Sequence, residues 1–101
     1  MITENNLRLD NKTIVVTGAS GYLGASISSS LAMLGCDLIL VDINNNALKL
    51  LKDKILKNNP CNIKILKADL TLEKDTLKII SYIKSNKIDI NGLVNAIGMV
   101  G

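Results

Sequence analysis

Thr17-Gly18-Ala19-Ser20-Gly21-Tyr22-Leu23-Gly24 follows the short apolar run Thr13-Ile14-Val15-Val16 and opens into a segment of helical periodicity. A strand that ends in a glycine turn and hands over to a helix leaves backbone N–H groups converging on one spot, with the positive end of the helix dipole behind them. Such a spot binds phosphate. Gly18 lets the chain turn sharply, Gly21 leaves room for a pyrophosphate to approach the backbone, and Gly24 lets the helix lie close to the sheet. A purely structural turn satisfies the same spacing, so further features must decide.

Working outward, Lys12 to Thr17 reads as a first strand, apolar on both faces as in a sheet covered by helices on both sides. Leu23, Ile27, Leu31 and Leu34 mark the buried face of the first helix, which Gly35 ends. Asp37 to Asp42 is a second buried strand finishing on a carboxylate. Asn44, Asn45 and Asn46 offer caps to a second helix whose apolar stripe is Leu48, Leu51 and Ile55, and Asn58-Asn59-Pro60 stops it. Asn62 to Lys67 alternates, as an edge strand does. Thr71 reads as the N-cap of a third helix buried through Leu72, Thr76, Ile79, Ile80 and Ile83, with Glu73 and Asp75 in its first turn. Asn91-Gly92 reads as a turn before a fourth strand, Leu93 to Ala96.

Strands alternating with helices imply an α/β, doubly wound parallel sheet with right-handed crossovers. The expected strand order is 3-2-1-4, with the first two helices on one face and the third on the other. Residues 1–11 are a polar lead-in, with Leu7 and Leu9 docking on the edge of a domain spanning 12–101. The glycine turn and the ends of strands two, three and four then meet at the carboxyl edge of the sheet, where ligands bind.

Composition narrows the function classes. The chain has 101 residues, enough for one domain at most. Apolar residues make up 48% but aromatics only 2%, so the core is aliphatic. The net charge of +3 comes from scattered lysines without interleaved aromatic platforms, which gives nucleic-acid binding no support. The first residues are too polar for a signal peptide, and no apolar run approaches the ~20 residues that span a bilayer, so no membrane association and a cytoplasmic location are expected. Cys36 and Cys61 show no CxxC pairing and the chain has no histidine, so no metal site is expected and the thiols read as buried or idle.

Asp42 stands 18 residues beyond Gly24 at the end of the second strand, where a carboxylate can accept both hydroxyls of an adenosine ribose and would repel a phosphate. Ile43 beside it is apolar and the glycine turn contains no Arg or Lys, so NAD is expected rather than NADP. The competing structural reading makes Asp42 a helix cap.

With these residues in view, the chain resembles the N-terminal, cofactor-binding part of the short-chain dehydrogenase/reductase family. The residues that carry the resemblance are Thr17 to Gly24, Asp42, Ala68-Asp69-Leu70-Thr71 after the third strand, and Leu93-Val94-Asn95-Ala96-Ile97-Gly98 at the fourth; it covers essentially the whole chain from Lys12 onward. It implies a Rossmann-like fold, incomplete relative to the family's full fold and truncated on its C-terminal side. The cofactor residues it implies are Gly18, Ser20, Gly21, Tyr22, Leu23 and Gly24 of the turn, then Asp42 and Ile43. By similarity, Asp69 contacts the adenine, Leu70 holds the ring through its backbone, and Asn95, Ala96, Ile97 and Gly98 line the ribose side. The bland alternatives are that Asp69 caps the third helix with Thr71 and that Asn95 satisfies backbone groups.

Two departures stand out. The glycine spacing is TGxxGxxG, usual in the extended, sugar-nucleotide branch, whereas Asn95 to Gly98 is closer to the main branch. The family's serine and its YxxxK acid/base pair follow the fourth strand, and neither Tyr22 nor Tyr82 supplies that motif. The expected function is the cofactor half of an NAD-dependent oxidoreductase moving hydride between nicotinamide and an alcohol or carbonyl substrate, with no catalytic residue among these 101 and no turnover by them alone. The alternatives are a nucleotide-binding module without chemistry and a truncated product without an independent role. An exposed apolar fourth strand would favour self-association.

Overall fold

The computed structural model of the protein describes residues 8–97. Seven elements alternate: β1 (Thr13–Thr17), α1 (Tyr22–Met33), β2 (Asp37–Asp42), α2 (Asn45–Leu56), β3 (Ile63–Lys67), α3 (Glu73–Ser85) and β4 (Gly92–Asn95). The four strands form one parallel sheet in the order β3-β2-β1-β4. This is the Rossmann-like arrangement that the element order implied. Register places Val16 beside Leu40 and Val94, so the carboxyl ends of β1, β2 and β4 are level.

The central strands bury both faces because helices cover both. Leu38, Ile39, Leu40 and Val41 are each no more than 1% exposed. Side chains alternate between two cores. Val16, Leu38, Leu40 and Ile63 pack with Ala32, Leu48, Leu51 and Ile55 on the α1/α2 face, while Val15, Ile39 and Val41 meet Ile79 and Ile83 on the α3 face. Helix α2 buries the stripe that its sequence announced, Leu48, Leu51 and Ile55, and Asn44 caps it by accepting the Ala47 N–H at 3.0 Å.

Four local expectations are corrected. Helix α1 buries Gly24, Ser28 and Ala32, and the larger Leu23, Ile27, Leu31 and Leu34 are only half-buried. The small residues let the helix approach the sheet until its bulky side chains wedge to either side, and the Ser28 hydroxyl satisfies itself on the Gly24 carbonyl at 2.7 Å. The N-cap of α3 is Leu72, without a side-chain cap, because the Thr71 hydroxyl is spent on Asp69. Helix α3 buries no residue fully: Ile79 and Ile83 are half-buried, whereas Leu72, Thr76 and Ile80 are exposed. Asn91-Gly92 is no turn. Asn91 pairs with Thr13 through both its backbone N–H and its side-chain oxygen, each at 2.8 Å, and Gly92 is already in β4.

Other details agree with their local chemistry. Gly35, at φ +94°, follows the last turn of α1 and donates to Ala32, while Cys36 donates to Leu31, the paired bonds of a Schellman ending. Leu9 is tied to this end through its N–H on the Leu34 carbonyl, though its side chain is exposed; Leu7 lies outside the described residues.

Gly24 tests the close approach of α1. Alanine would gain about 1 kcal/mol of helix propensity. A Cβ at this position, however, collides with the backbone of Gly18 and Ala19. Gly24→Ala is therefore expected to destabilise the chain despite that gain, and Ile80→Ala, on the exposed face of α3, to cost well under the ~2–5 kcal/mol of a core truncation such as Leu40→Ala. Urea unfolding of the three variants checks the ranking.

Candidate functional site

The carboxyl ends of β1, β2, β3 and β4 surround a cleft of about 340 Å³ lined by Gly18, Val41, Asp42, Ile43, Ala68, Asp69, Leu70, Thr71, Asn95 and Ile97. Residues far apart in sequence come together because every strand of a parallel sheet ends on the same edge.

At the first strand, Gly18 adopts φ +69°, and a Cβ there would lie 2.9 Å from the Ile97 N. Backbone conformation and space both demand glycine. Gly24 is demanded by packing alone. Gly21 differs from both: its φ of −71° suits any residue, and a Cβ would meet only the Gly18 carbonyl, at an ordinary 3.4 Å. Nothing within the described chain requires glycine at this position. What its missing side chain provides is open space in front of the helix N-terminus. Gly21 is also the N-cap of α1 and offers no side-chain acceptor, so the N–H groups of Tyr22, Leu23 and Gly24 keep no partner inside the helix. No acidic residue occupies the first turn.

Asp42 faces this turn from the end of β2. Its Oδ2 accepts the Ser20 N–H at 3.1 Å and its Oδ1 the Asn44 N–H at 3.2 Å. Burial opposes ionisation of this carboxyl. Hydrogen bonds from the Ser20 side chain and from the backbone of Asn44, Ser20 and Ile43 outweigh burial and hold its pKa below the ordinary 3.8. The carboxylate therefore has a structural task, tying the glycine turn to β2, and it also lines the cleft. Ile43, beside it, is 59% exposed.

Asp69 forms the opposite wall. Its Oδ1 accepts both the N–H and the hydroxyl of Thr71, at 3.0 and 2.6 Å, which hold it below its usual pKa, and its own N–H donates to Asp75 at 2.8 Å. It shapes the turn before α3 but does not cap that helix. Asn95 closes the site: its Oδ1 accepts the Thr17 hydroxyl at 2.9 Å and the Ile97 N–H at 3.1 Å, and the Ala96 N–H reaches the Thr17 carbonyl at 2.9 Å. These bonds clamp the end of β4 to that of β1.

Of the residues singled out from sequence, Gly18, Asp42, Ile43, Asp69, Leu70, Asn95 and Ile97 line the cleft, and Ser20 adjoins it through Asp42. Gly21, Tyr22, Leu23 and Gly24 form the adjacent helix start, Tyr22 being 88% exposed; Ala96 lies behind, and Gly98 is outside the described residues. Sequence reasoning missed Val41 and Ala68 as lining residues and took Thr71 for a cap. Their signal was available, since all three adjoin strand ends on the carboxyl edge.

The model of the short chain dehydrogenase family matches residues 12–101. The chain belongs to the short-chain dehydrogenase family. Among its relatives, the uncharacterized oxidoreductase YmfI of Bacillus subtilis is 42% identical over 74 residues, covering 72% of this chain and 31% of its own length. The crystal structure of a hydroxysteroid dehydrogenase from Escherichia coli superposes with a TM-score of 0.81 at 28% identity, covering 92% of this chain and 39% of that one. An NAD+-bound xylitol dehydrogenase gives 0.77 at 24% identity, covering 83% and 32%. This chain thus spans roughly a third of the length of these short-chain dehydrogenases. Among the described residues no helix is long and apolar enough to cross a membrane, and no cluster of metal-ligating side chains occurs.

The depressed pKa of Asp42 has a consequence for folding. Because the folded value lies below the unfolded one, its contribution to stability is complete above the ordinary carboxylate pKa and is lost as pH falls through the folded value. The stability difference between the wild-type chain and Asp42→Asn is expected to shrink as pH falls from about 5 toward about 2, measured by urea titrations at each pH.

Proposed function

We propose that these residues form the NAD-binding part of a short-chain oxidoreductase that moves hydride between nicotinamide and an alcohol or carbonyl substrate. The observation that carries the reading is Gly21, a glycine required by no contact or dihedral among the described residues, set before a helix N-terminus whose first donors have no side-chain cap. A pyrophosphate approaching the backbone is what such a position accommodates. In this reading the N–H groups at the start of α1 hold the pyrophosphate and Asp42 accepts the hydroxyls of the adenosine ribose. Asp69 and Leu70 border the adenine, and Asn95 and Ile97 line the ribose side of the cofactor. The bound dinucleotide would supply the hydride acceptor; these side chains bind and orient it.

The preference for NAD rests on Asp42, whose ionised carboxylate would repel a ribose 2′-phosphate, and on the apolar, exposed Ile43, which offers no countercharge. The NAD+ bound by the related xylitol dehydrogenase agrees with this choice. Calorimetric titration should give tighter binding of NAD than of NADP; equal affinities, or a preference for NADP, would sink the Asp42 argument. Gly21→Asn retains a good N-cap residue yet fills the space before the donors, so NAD affinity should fall at least about tenfold with little change in urea midpoint. These 101 residues contain no YxxxK pair, and the same preparation is expected to form no NADH from alcohols or sugars.

The described edge of the sheet supports a second proposal, self-association. Among the described residues β4 pairs only with β1, and Leu93 is 66% and Ile97 52% exposed. An unpaired, apolar strand edge invites another strand. Sedimentation of the 101-residue chain should show concentration-dependent dimers or larger species, and a strictly monomeric profile would refute it.

A further inference from the structure

At the end of the sheet remote from the cleft, two thiols sit against one core cluster. The parallel register pairs Leu38 with Ile63, and two residues upstream on each chain stand Cys36 and Cys61. The two segments stay in contact just upstream of the ladder, where Leu38 donates to the Asn62 carbonyl and Asn62 donates to the Asp37 carboxylate, both at 2.9 Å. The two side chains share a face. Cys36 is buried within the α1/α2 core, Cys61 packs against that same cluster, and both are free thiols. At the first paired residues, Leu38 and Ile63, the strands lie about 4.8 Å apart, inside the ~4.4–6.8 Å of Cα separation that a disulfide spans.

We propose that Cys36 and Cys61 are a reversible disulfide pair that bridges the entrances of β2 and β3.

Access differs between the two in a way that orders the steps. Cys61 lines a surface cavity of about 440 Å³ together with Asp10, Gly35, Asp37 and Asn62, whereas Cys36 is wholly buried. A small-molecule disulfide such as oxidised glutathione reaches Cys61 first. The Cys61 thiolate displaces one thiolate of the oxidant and forms a mixed disulfide; the Cys36 thiolate then attacks the Cys61 sulfur and expels the second. Two protein thiols and one oxidant disulfide become one protein disulfide and two small thiols, the two protons passing to the leaving thiolates. Burial, followed by the Asp37 carboxylate, raises the pKa of both thiols, with further contributions from Asp10 at Cys36 and from Cys36 at Cys61. Exchange is accordingly slow at neutral pH and quickens as pH rises.

The bond would close a loop containing all of α2 and the Asp42 strand end. Its effect falls mainly on the unfolded chain, which loses freedom.

The full chain, folded, is incubated with oxidised glutathione at about pH 8 and quenched by alkylation. Intact mass and peptide mapping should show both thiols consumed together, a loss of two hydrogens and a peptide linking Cys36 to Cys61. Tm should rise by about 10 °C or more and return on reduction. Cys36→Ala should stop at a glutathione adduct on Cys61, and Cys61→Ser should remain unmodified while folded. A wild-type chain that stays dithiol, stops at the Cys61 adduct, links only between molecules, or bridges only in urea would overturn the proposal.

Discussion

The close contact between the first turn of α1 and the end of β1 is the constraint on which the rest depends. Gly24 rides on the backbone of Gly18 and Ala19, which leaves no room for a Cβ. That approach brings Ser28 and Ala32 down onto the sheet and directs the helix N-terminus toward the carboxyl edge. A bulkier residue at position 24 would push the start of the helix off the end of β1.

Polar side chains then hold the strand ends to this turn. Asp42 anchors Ser20 from β2, and Asn95 anchors Thr17 from β4. Backbone bonds do the same from Ala19 to Val41 and from Ala68 to Asp42. Asp42 and Asn95, which line the cleft, are therefore also structural fasteners. For Asp42 and Asn95 the structural role stands on these bonds alone and needs no ligand to account for it.

The two faces of the sheet are covered unequally. Helices α1 and α2 seal one core with residues nearly inaccessible to solvent, whereas α3 leaves Leu72, Leu77 and Ile80 exposed. Periodicity placed Ile79 and Ile83 of α3 against the sheet as they are found, but it put Leu72, Thr76 and Ile80 on the same buried face and these are exposed. How deeply a helix is buried depends on what else packs around it, a quantity that no helical period contains.

Sequence alone determined the element order, the parallel sheet, the strand order and the family, because glycines at 18, 21 and 24, a carboxylate at 42 and four β-branched or leucine-rich runs leave few ways to bury that surface. It also located seven of the cleft's lining residues. Only the tertiary structure decided which glycines the fold itself requires, since backbone approach between Gly24 and Gly18 or between Gly18 and Ile97 is a distance in space. The buried face of α1 was likewise hidden. A period marks the largest apolar residues, but the helix packs by its smallest, and Thr71 spends its hydroxyl on Asp69 because the turn, not the helix, is nearer.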